Sequence, residues 1–289
     1  MIKIAYALCF LLLFGGLLFH FAALKVFNFI IPKDQVSELM ASAVAYGSDP
    51  LQTLYVFKPK QAEPNLPIVI FVHGGSWQEG NAVDYGFVGR AFAANGFVTF
   101  VVGYRKHPQH SYPAFVQDVA SSVKWVNSHA AQFGGDAEKI FLVGHSAGAY
   151  DIALAVLDQR YFEEAGISDK HIKGVATLAG PFDFLPLDSD ITREVFGKIG
   201  DLEKTQPINF VRKDAPPFLI LHGTADTTVY PKNAKSLYKH LIDVGASAKL
   251  TEYQGVSHVG ILLDMAKPLR GNAPVLSDVV KFFKDILRQ

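Results

Sequence analysis

The chain has 289 residues, 49% of them hydrophobic and 19% charged, a composition that supports a sizeable core and excludes intrinsic disorder. Its 27 basic and 27 acidic residues cancel, and no block of like charges marks a nucleic-acid partner. The single cysteine, Cys9, excludes an intrachain disulfide and any cysteine-based zinc or iron–sulfur cluster.

The amino terminus reads as a separate physical object. From Ile4 to Leu24 the chain carries no charge and is almost wholly apolar, with His20 the main polar exception. As a helix rising about 1.5 Å per residue it would span roughly 31 Å, close to the hydrocarbon thickness of a bilayer. A second apolar run, Val26 to Ile31, follows Lys25 and stops at Pro32. A cleaved signal peptide would use Lys3 as its charged start, but no pair of small residues near Leu24 fits a cleavage site. Ala41-Ser42-Ala43 has the right form and lies too far downstream. The expectation is a retained single-pass membrane anchor in residues 1–33, then a second domain in 34–289. Secretion after cleavage is the alternative. Lys3 and the free amine on one side nearly balance Lys25 and Lys33 on the other, so orientation stays open.

Beyond residue 33, short apolar runs rich in β-formers alternate with helical patterns. Strands are predicted at 51–57, 67–73, 97–103, 139–144, 173–179, 217–222 and 249–253. Runs such as IVIFV and FVTFVV suit strands buried on both faces. Helices are predicted at 84–94, 115–133, 147–157, 232–244 and 275–287. In the last, Leu276, Val279, Val280, Phe283 and Leu287 share one face. The alternation predicts an α/β fold: a mostly parallel central sheet with helices on both faces. The stretch from Pro181 to Pro217 has no clear strand and is a candidate small lid.

Four segments carry chemistry. Gly144-His145-Ser146-Ala147-Gly148 follows an apolar strand and opens a helix, the pattern of a nucleophile elbow. A sharp strand-to-helix turn presents Ser146 at the strand's end, and its glycines admit close backbone neighbours. His73-Gly74-Gly75-Ser76-Trp77 ends another strand. The N–H groups of Gly75 and Ser76, with Gly74 a further candidate, would join that of Ala147 as donors to a developing oxyanion. His222-Gly223-Thr224-Ala225-Asp226 offers a carboxylate at the sheet edge, and Gly255-Val256-Ser257-His258 offers a base. The order Ser146, Asp226, His258 is that of an α/β-hydrolase triad, and each member follows a predicted strand.

On these motifs the chain resembles the α/β-hydrolase superfamily over residues 46–289. It is most similar to carboxylesterase-like members carrying H-G-G-x-W, among them arylformamidase (kynurenine formamidase) relatives. The Tyr104-Arg105, Pro113 and Asp118 stretch and Gly134-Gly135-Asp136 fit that group as well. Prenylcysteine methylesterases resemble it in having hydrophobic amino-terminal segments. The resemblance implies a serine esterase of small-molecule esters that uses Ser146, Asp226 and His258, and the expected anchor points to a lipophilic or membrane-derived substrate. The resemblance also implies Gly75 and Ser76 for the oxyanion hole, and no metal or organic cofactor. An amidase of the arylformamidase type is the alternative, and a non-catalytic ligand-binding protein on this fold is a further one. Trp77 is expected to line the substrate pocket and His145 to pack beside it. Arg105 and Asp118 read as a structural ion pair, and Asp183 as a loop residue or spare acid.

Overall fold

The computed structural model describes residues 17–61 and 63–289. Its strands are β1 (Ser37–Ala45), β2 (Thr53–Pro59), β3 (Leu66–Val72), β4 (Val98–Val102), β5 (Gly135–His145), β6 (Ile172–Leu178), β7 (Phe218–Gly223) and β8 (Ala248–Tyr253). Its α-helices are α1 (Leu17–Ile30), α2 (Gly86–Ala93), α3 (Ala114–His129), α4 (Ala147–Leu157), α5 (Arg160–Ala165), α6 (Asp190–Phe196), α7 (Lys232–Asp243), α8 (Gly260–Leu263) and α9 (Val275–Ile286).

The strands form one eight-stranded sheet in the order β1-β2-β4-β3-β5-β6-β7-β8. From β4 to β8 every pairing is parallel, while β2 pairs antiparallel with both β4 and β1. This is the α/β-hydrolase fold expected from the alternation of strands and helices. Ile68 to Val72 in β3 and Ile140 to Val143 in β5 are wholly buried, which is why they read as unbroken apolar runs. One layer of helix is fixed by α9, whose Val275, Val279 and Phe283 are buried. Phe283 stacks on Phe141 of β5 at 4.3 Å. The other layer holds α4, every residue of which is buried beneath the sheet's carboxyl edge. The chain order reverses where β3 and β5 lie side by side. That is where loops at the carboxyl ends of a parallel sheet diverge and leave a crevice.

One expectation needs correction, and one falls mostly outside the described residues. β1 was not among the predicted strands. Its outer face is solvent-exposed, and bulges at Leu39/Ala41 and Ala41/Val44 interrupt its alternation, so it lacks the apolar signature of a buried strand. The predicted membrane span from Ile4 to Leu24 lies mostly outside the described residues. Among the described residues, no helix is long and apolar enough to cross a membrane. The described part of this region, α1, packs on the domain. Leu24, Phe27 and Ile31 are buried, and Phe27 meets Phe87 edge-on at 5.5 Å. Asn28 donates to the Val83 carbonyl at 3.0 Å and accepts the Phe87 N–H at 3.0 Å. Each buried apolar side chain of this size contributes roughly 1.5–3 kcal/mol. The packed unit therefore begins inside α1, before the boundary expected between Lys33 and Asp34.

Candidate active site

The three triad candidates, far apart in sequence, meet at the carboxyl edge of the sheet. Ser146 is the turn between β5 and α4, with φ 55° and ψ −121°, and its N–H is tied to the Leu178 carbonyl at 2.8 Å. A non-glycine residue in this region stores about 1–3 kcal/mol of strain, and packing of β5 and α4 holds it there. Gly148 is obligatory for that packing: a Cβ there would stand 2.3 Å from the Val72 carbonyl oxygen.

His258 lies in the loop between β8 and α8. Its Nε2 is 2.8 Å from Ser146 Oγ, and its Nδ1 is 2.8 Å from Asp226 Oδ2. The network sets the tautomer: Nδ1–H donates to the carboxylate, so Nε2 is free to accept the serine proton. Asp226 follows β7. Its Oδ1 accepts the backbone N–H groups of Thr228 and Val229, both at 2.9 Å. Burial alone would raise this carboxyl. Hydrogen bonding from His222 and His258, with the Val229 N–H, outweighs burial and holds it far below the usual carboxylate range. Asp226 is therefore an anion at every pH at which the domain would work.

His222 was not singled out in the sequence. It is wholly buried, and its Nε2–H is shared between the Val229 carbonyl at 2.8 Å and Asp226 Oδ2 at 3.2 Å. It thus braces both the acid and the backbone turn that carries the acid. The signal available was a histidine at the end of an apolar strand, four residues before the carboxylate.

The glycine loop after β3 turns sharply. Gly75, Ser76 and Trp77 all have positive φ, at 137°, 54° and 59°. The N–H groups of Gln78 and Glu79 close the turn on the Gly75 carbonyl at 3.0 and 2.8 Å. Gly74 lies directly against the nucleophile, where a Cβ would come within 2.9 Å of Ser146 Cβ. Its carbonyl accepts His73 Nδ1–H at 2.6 Å. Ser76 and Ala147 line the cavity over Ser146, Gly74 backs the nucleophile, and Gly75 packs against the Glu79 backbone.

The cavity measures about 360 Å³ and is walled by Trp77, Pro181, Phe184, Ile191 and Val229. Its rim is polar, with Ser189, Thr192, Thr227, Thr228 and Tyr230. The expected lid over Pro181 to Pro217 is small: it consists of α6 and short turns. It is pinned by Phe196, which meets Trp77 edge-on at 4.9 Å and lies 5.3 Å from Phe184. Trp77 is a wall residue, as expected, although only 3% exposed.

His145, a candidate pocket residue read from the sequence as packing beside the nucleophile, does not line the cavity. It turns beneath the histidine loop, and its Nε2–H donates to the His258 carbonyl at 3.0 Å. Burial, then the neighbouring His258, pushes it down to about 3, so it stays neutral and supports the loop. The bland readings of other residues hold. Arg105 pairs with Asp118 at 2.7 Å, and Asp183 accepts from Ser236 at 2.6 Å, away from the triad. Among the described residues no cluster of His, Cys, Asp or Glu is arranged to hold a metal ion.

The profile of the BD-FAE family matches residues 54–241, from β2 through most of α7. Esterase LipC of Mycobacterium tuberculosis is 32% identical over 78% of this chain and 60% of its own length. The isoprenylcysteine alpha-carbonyl methylesterase ICME of Arabidopsis thaliana is 28% identical over 84% of this chain and 61% of its own length. The chain thus spans less than two thirds of the length of these curated relatives. Among solved structures, esterase B from Lactobacillus rhamnosis superposes with a TM-score of 0.82 at 21% identity, covering 93% of this chain and 91% of that one. An esterase from Pyrobaculum calidifontis superposes with a TM-score of 0.76 at 22% identity, covering 98% of each chain. With well over half of its length matched, including the oxyanion loop, the nucleophile elbow and the acid, this chain belongs to the BD-FAE family.

Proposed function

We propose that the protein is a serine hydrolase of carboxylic esters with short acyl groups. The observation that carries this reading is the unbroken hydrogen-bonded chain from Ser146 Oγ through His258 to Asp226, with both links at 2.8 Å. His258 takes the Ser146 proton as the oxygen attacks the ester carbonyl. The N–H groups of Gly75, Ser76 and Ala147 receive the oxyanion. The imidazolium, held by Asp226, then protonates the leaving alcohol. A water molecule activated by His258 releases the acid from the acyl-serine, and the cycle closes without a cofactor.

Pocket shape supports the acyl limit. Phe184 is held by its N–H bond to Gln206 Oε1 at 2.9 Å, and behind it Trp77, Tyr150 and Phe196 fill the space. These rings close the cavity on the Phe184 side, which favours a short acyl group directed there. The hydroxyl-lined rim suits the alcohol portion.

The test is hydrolysis of p-nitrophenyl acetate, butyrate and octanoate by the full chain in detergent, beside Ser146→Ala. Acetate or butyrate should be preferred, and the variant should lose about 10³-fold or more in kcat/KM. Activity on N-formylkynurenine with none on any ester would favour the amidase reading instead. An absence of both, with no fluorophosphonate labelling of Ser146, would leave a binding role.

The proposal extends to location: a membrane anchor in the first 33 residues. It is supported by the uncharged run from Ile4 to Leu24 and by the outer face of α1, where Phe29 is 85% exposed beside Val26 and Ile30. Carbonate-resistant pelleting of the full chain with bacterial or microsomal membranes tests it, and recovery in the supernatant would refute it.

A further inference from the structure

Asp151 is the one acidic residue of α4, the helix that begins at the nucleophile, and it is wholly buried. A charged-type side chain in the run AGAYDIALAVL is out of keeping with its neighbours. Its Oδ1 accepts the Trp77 indole N–H at 2.9 Å, and its Oδ2 has no partner. Among the described residues, no cation pairs with it. Arg105 is spent on Asp118, which also accepts from Gln52 at 2.7 Å. The groups facing Asp151 are Trp77, Asp118, Tyr104 and Tyr150. Burial first, and then the neighbouring Asp118 carboxylate, push its carboxyl well above the ordinary range, against the hydrogen bond from Trp77. Asp151 Oδ1 is thus a buried acceptor placed for one donor, the Trp77 indole.

That donor belongs to the strained end of the oxyanion loop. Trp77 and Ser76 sit at φ 59° and 54°, in a region that residues with a Cβ avoid, so something beyond local preference must hold them. The indole is gripped on its faces and edges by Tyr150 at 5.1 Å, Phe196 at 4.9 Å and Phe115 at 6.0 Å. Aromatic packing of this kind permits in-plane rotation and sliding, whereas a hydrogen bond fixes the direction of the ring. The acceptor stands on the helix whose first N–H, at Ala147, is the third oxyanion donor. One bond thus joins the two parts of the donor set: the glycine loop after β3 and the start of α4.

We propose that Asp151 is a positioning residue for the oxyanion hole, acting through the Trp77 indole to keep the Gly75 and Ser76 N–H groups in register with that of Ala147. This inference rests on the serine-hydrolase reading of the same site.

The experiment compares wild type, Asp151→Asn, Asp151→Leu, Trp77→Phe and the double variant Trp77→Phe with Asp151→Leu. Two quantities are read: steady-state kcat and KM on p-nitrophenyl butyrate, and the rate of Ser146 labelling by a fluorophosphonate. Asn keeps the carbonyl acceptor and should stay within about 2-fold of wild type in both. Leu is of similar size without the acceptor and should lose about 10- to 100-fold in kcat and in labelling rate, with KM changed by less than about 3-fold. Trp77→Phe should lose a comparable factor, and adding Asp151→Leu to it should cost less than about 2-fold more. Circular dichroism at the assay temperature restricts the comparison to folded protein, and Trp77→Phe carries the test alone should Asp151→Leu fail to fold. Wild-type kcat and labelling in folded Asp151→Leu or folded Trp77→Phe would overturn the inference, as would a loss that appears in KM alone. A loss in Asp151→Asn as large as in Asp151→Leu would overturn it too, since the acceptor would then not be what matters. Failure of wild type to be labelled or to turn over any ester would instead sink the hydrolase reading, and this inference with it.

Discussion

His73 makes the domain sensitive to mild acid, by an amount that can be worked out. It is wholly buried, sandwiched between Tyr85 at 5.0 Å and Tyr104 at 4.6 Å. Its Nδ1–H is committed to the Gly74 carbonyl, and its Nε2 has no partner. A proton on Nε2 would place a second buried charge near Lys106. Burial first, and that lysine second, depress the imidazole to about 3 from 6.5. The unfolded chain therefore binds a proton between pH 6.5 and 3 that the folded chain refuses. Stability falls as pH drops through that window, by about 1.4 kcal/mol per unit once well below 6.5. Between pH 7 and pH 5 the loss attributable to His73 is about 2 kcal/mol. This figure does not depend on the folded value as long as that value stays below about 4.

Other groups titrate as well, and some act in the opposite direction. Asp151, with its raised carboxyl, is stabilised relative to the unfolded chain as pH falls. Asp226, with its depressed carboxyl, withdraws stability only below the unfolded aspartate value. The measurement is therefore a difference. Urea unfolding of wild type and of His73→Phe is followed by tryptophan fluorescence at pH 7 and pH 5. The variant is expected to be less stable than wild type at pH 7, yet its change in stability between the two pH values should be smaller by about 2 kcal/mol. If the two proteins lose stability in parallel within about 0.5 kcal/mol, the reasoning fails. His73→Gln serves as a second non-titrating variant.

Four more outcomes are expected. His145→Gln should remove a similar pH-dependent increment of about 2 kcal/mol, since His145 is likewise pushed down to about 3; it should also slow turnover by loosening the His258 loop, read as kcat against urea midpoint at both pH values. Gly74→Ala places a Cβ 2.9 Å from Ser146 Cβ and 3.0 Å from the His145 carbonyl oxygen; it should cut kcat/KM for p-nitrophenyl acetate by at least about 10-fold, and unchanged activity would refute the close approach. Asp226→Asn should lower kcat by about 10⁴-fold by favouring the wrong His258 tautomer, and a loss under 10-fold would show that His222 and the loop position the base without the acid. Phe184→Ala should open the rear of the cavity and raise the octanoate-to-acetate ratio of kcat/KM by at least about 10-fold, whereas an unchanged ratio would place the acyl group elsewhere.

Much of this molecule was legible from one sequence, for reasons that lie in local physics. Residues 68–72 and 140–143 are apolar without interruption because both their faces are covered, so periodicity marks them as parallel strands. Gly144, Gly148 and Gly74 are dictated by backbone or the nucleophile within 2.9 Å of where a Cβ would stand, so the motifs announce the turns. Strand-end motifs of a parallel sheet all open on one edge, so chain order alone could join Ser146, Asp226 and His258. What depends on partners distant in sequence was not legible. β1 is an edge strand whose outward face carries no apolar alternation, and only its register with β2 defines it. The apolar face of α1 is the same whether it meets lipid or the helix at Phe87, and the packing of Leu24, Phe27 and Ile31 had to be seen. His145 neighbours the nucleophile in sequence, but side-chain direction sends it to the His258 carbonyl, not to the cavity. His222 and Asp151 acquire their significance from Asp226 and Trp77 alone, through contacts that no spacing rule encodes. The sequence determined which chemistry is present and on which edge of the sheet. The tertiary structure decided which buried polar groups hold that chemistry in place, because hydrogen bonds between distant segments depend on ångström-scale distances that composition and periodicity do not carry.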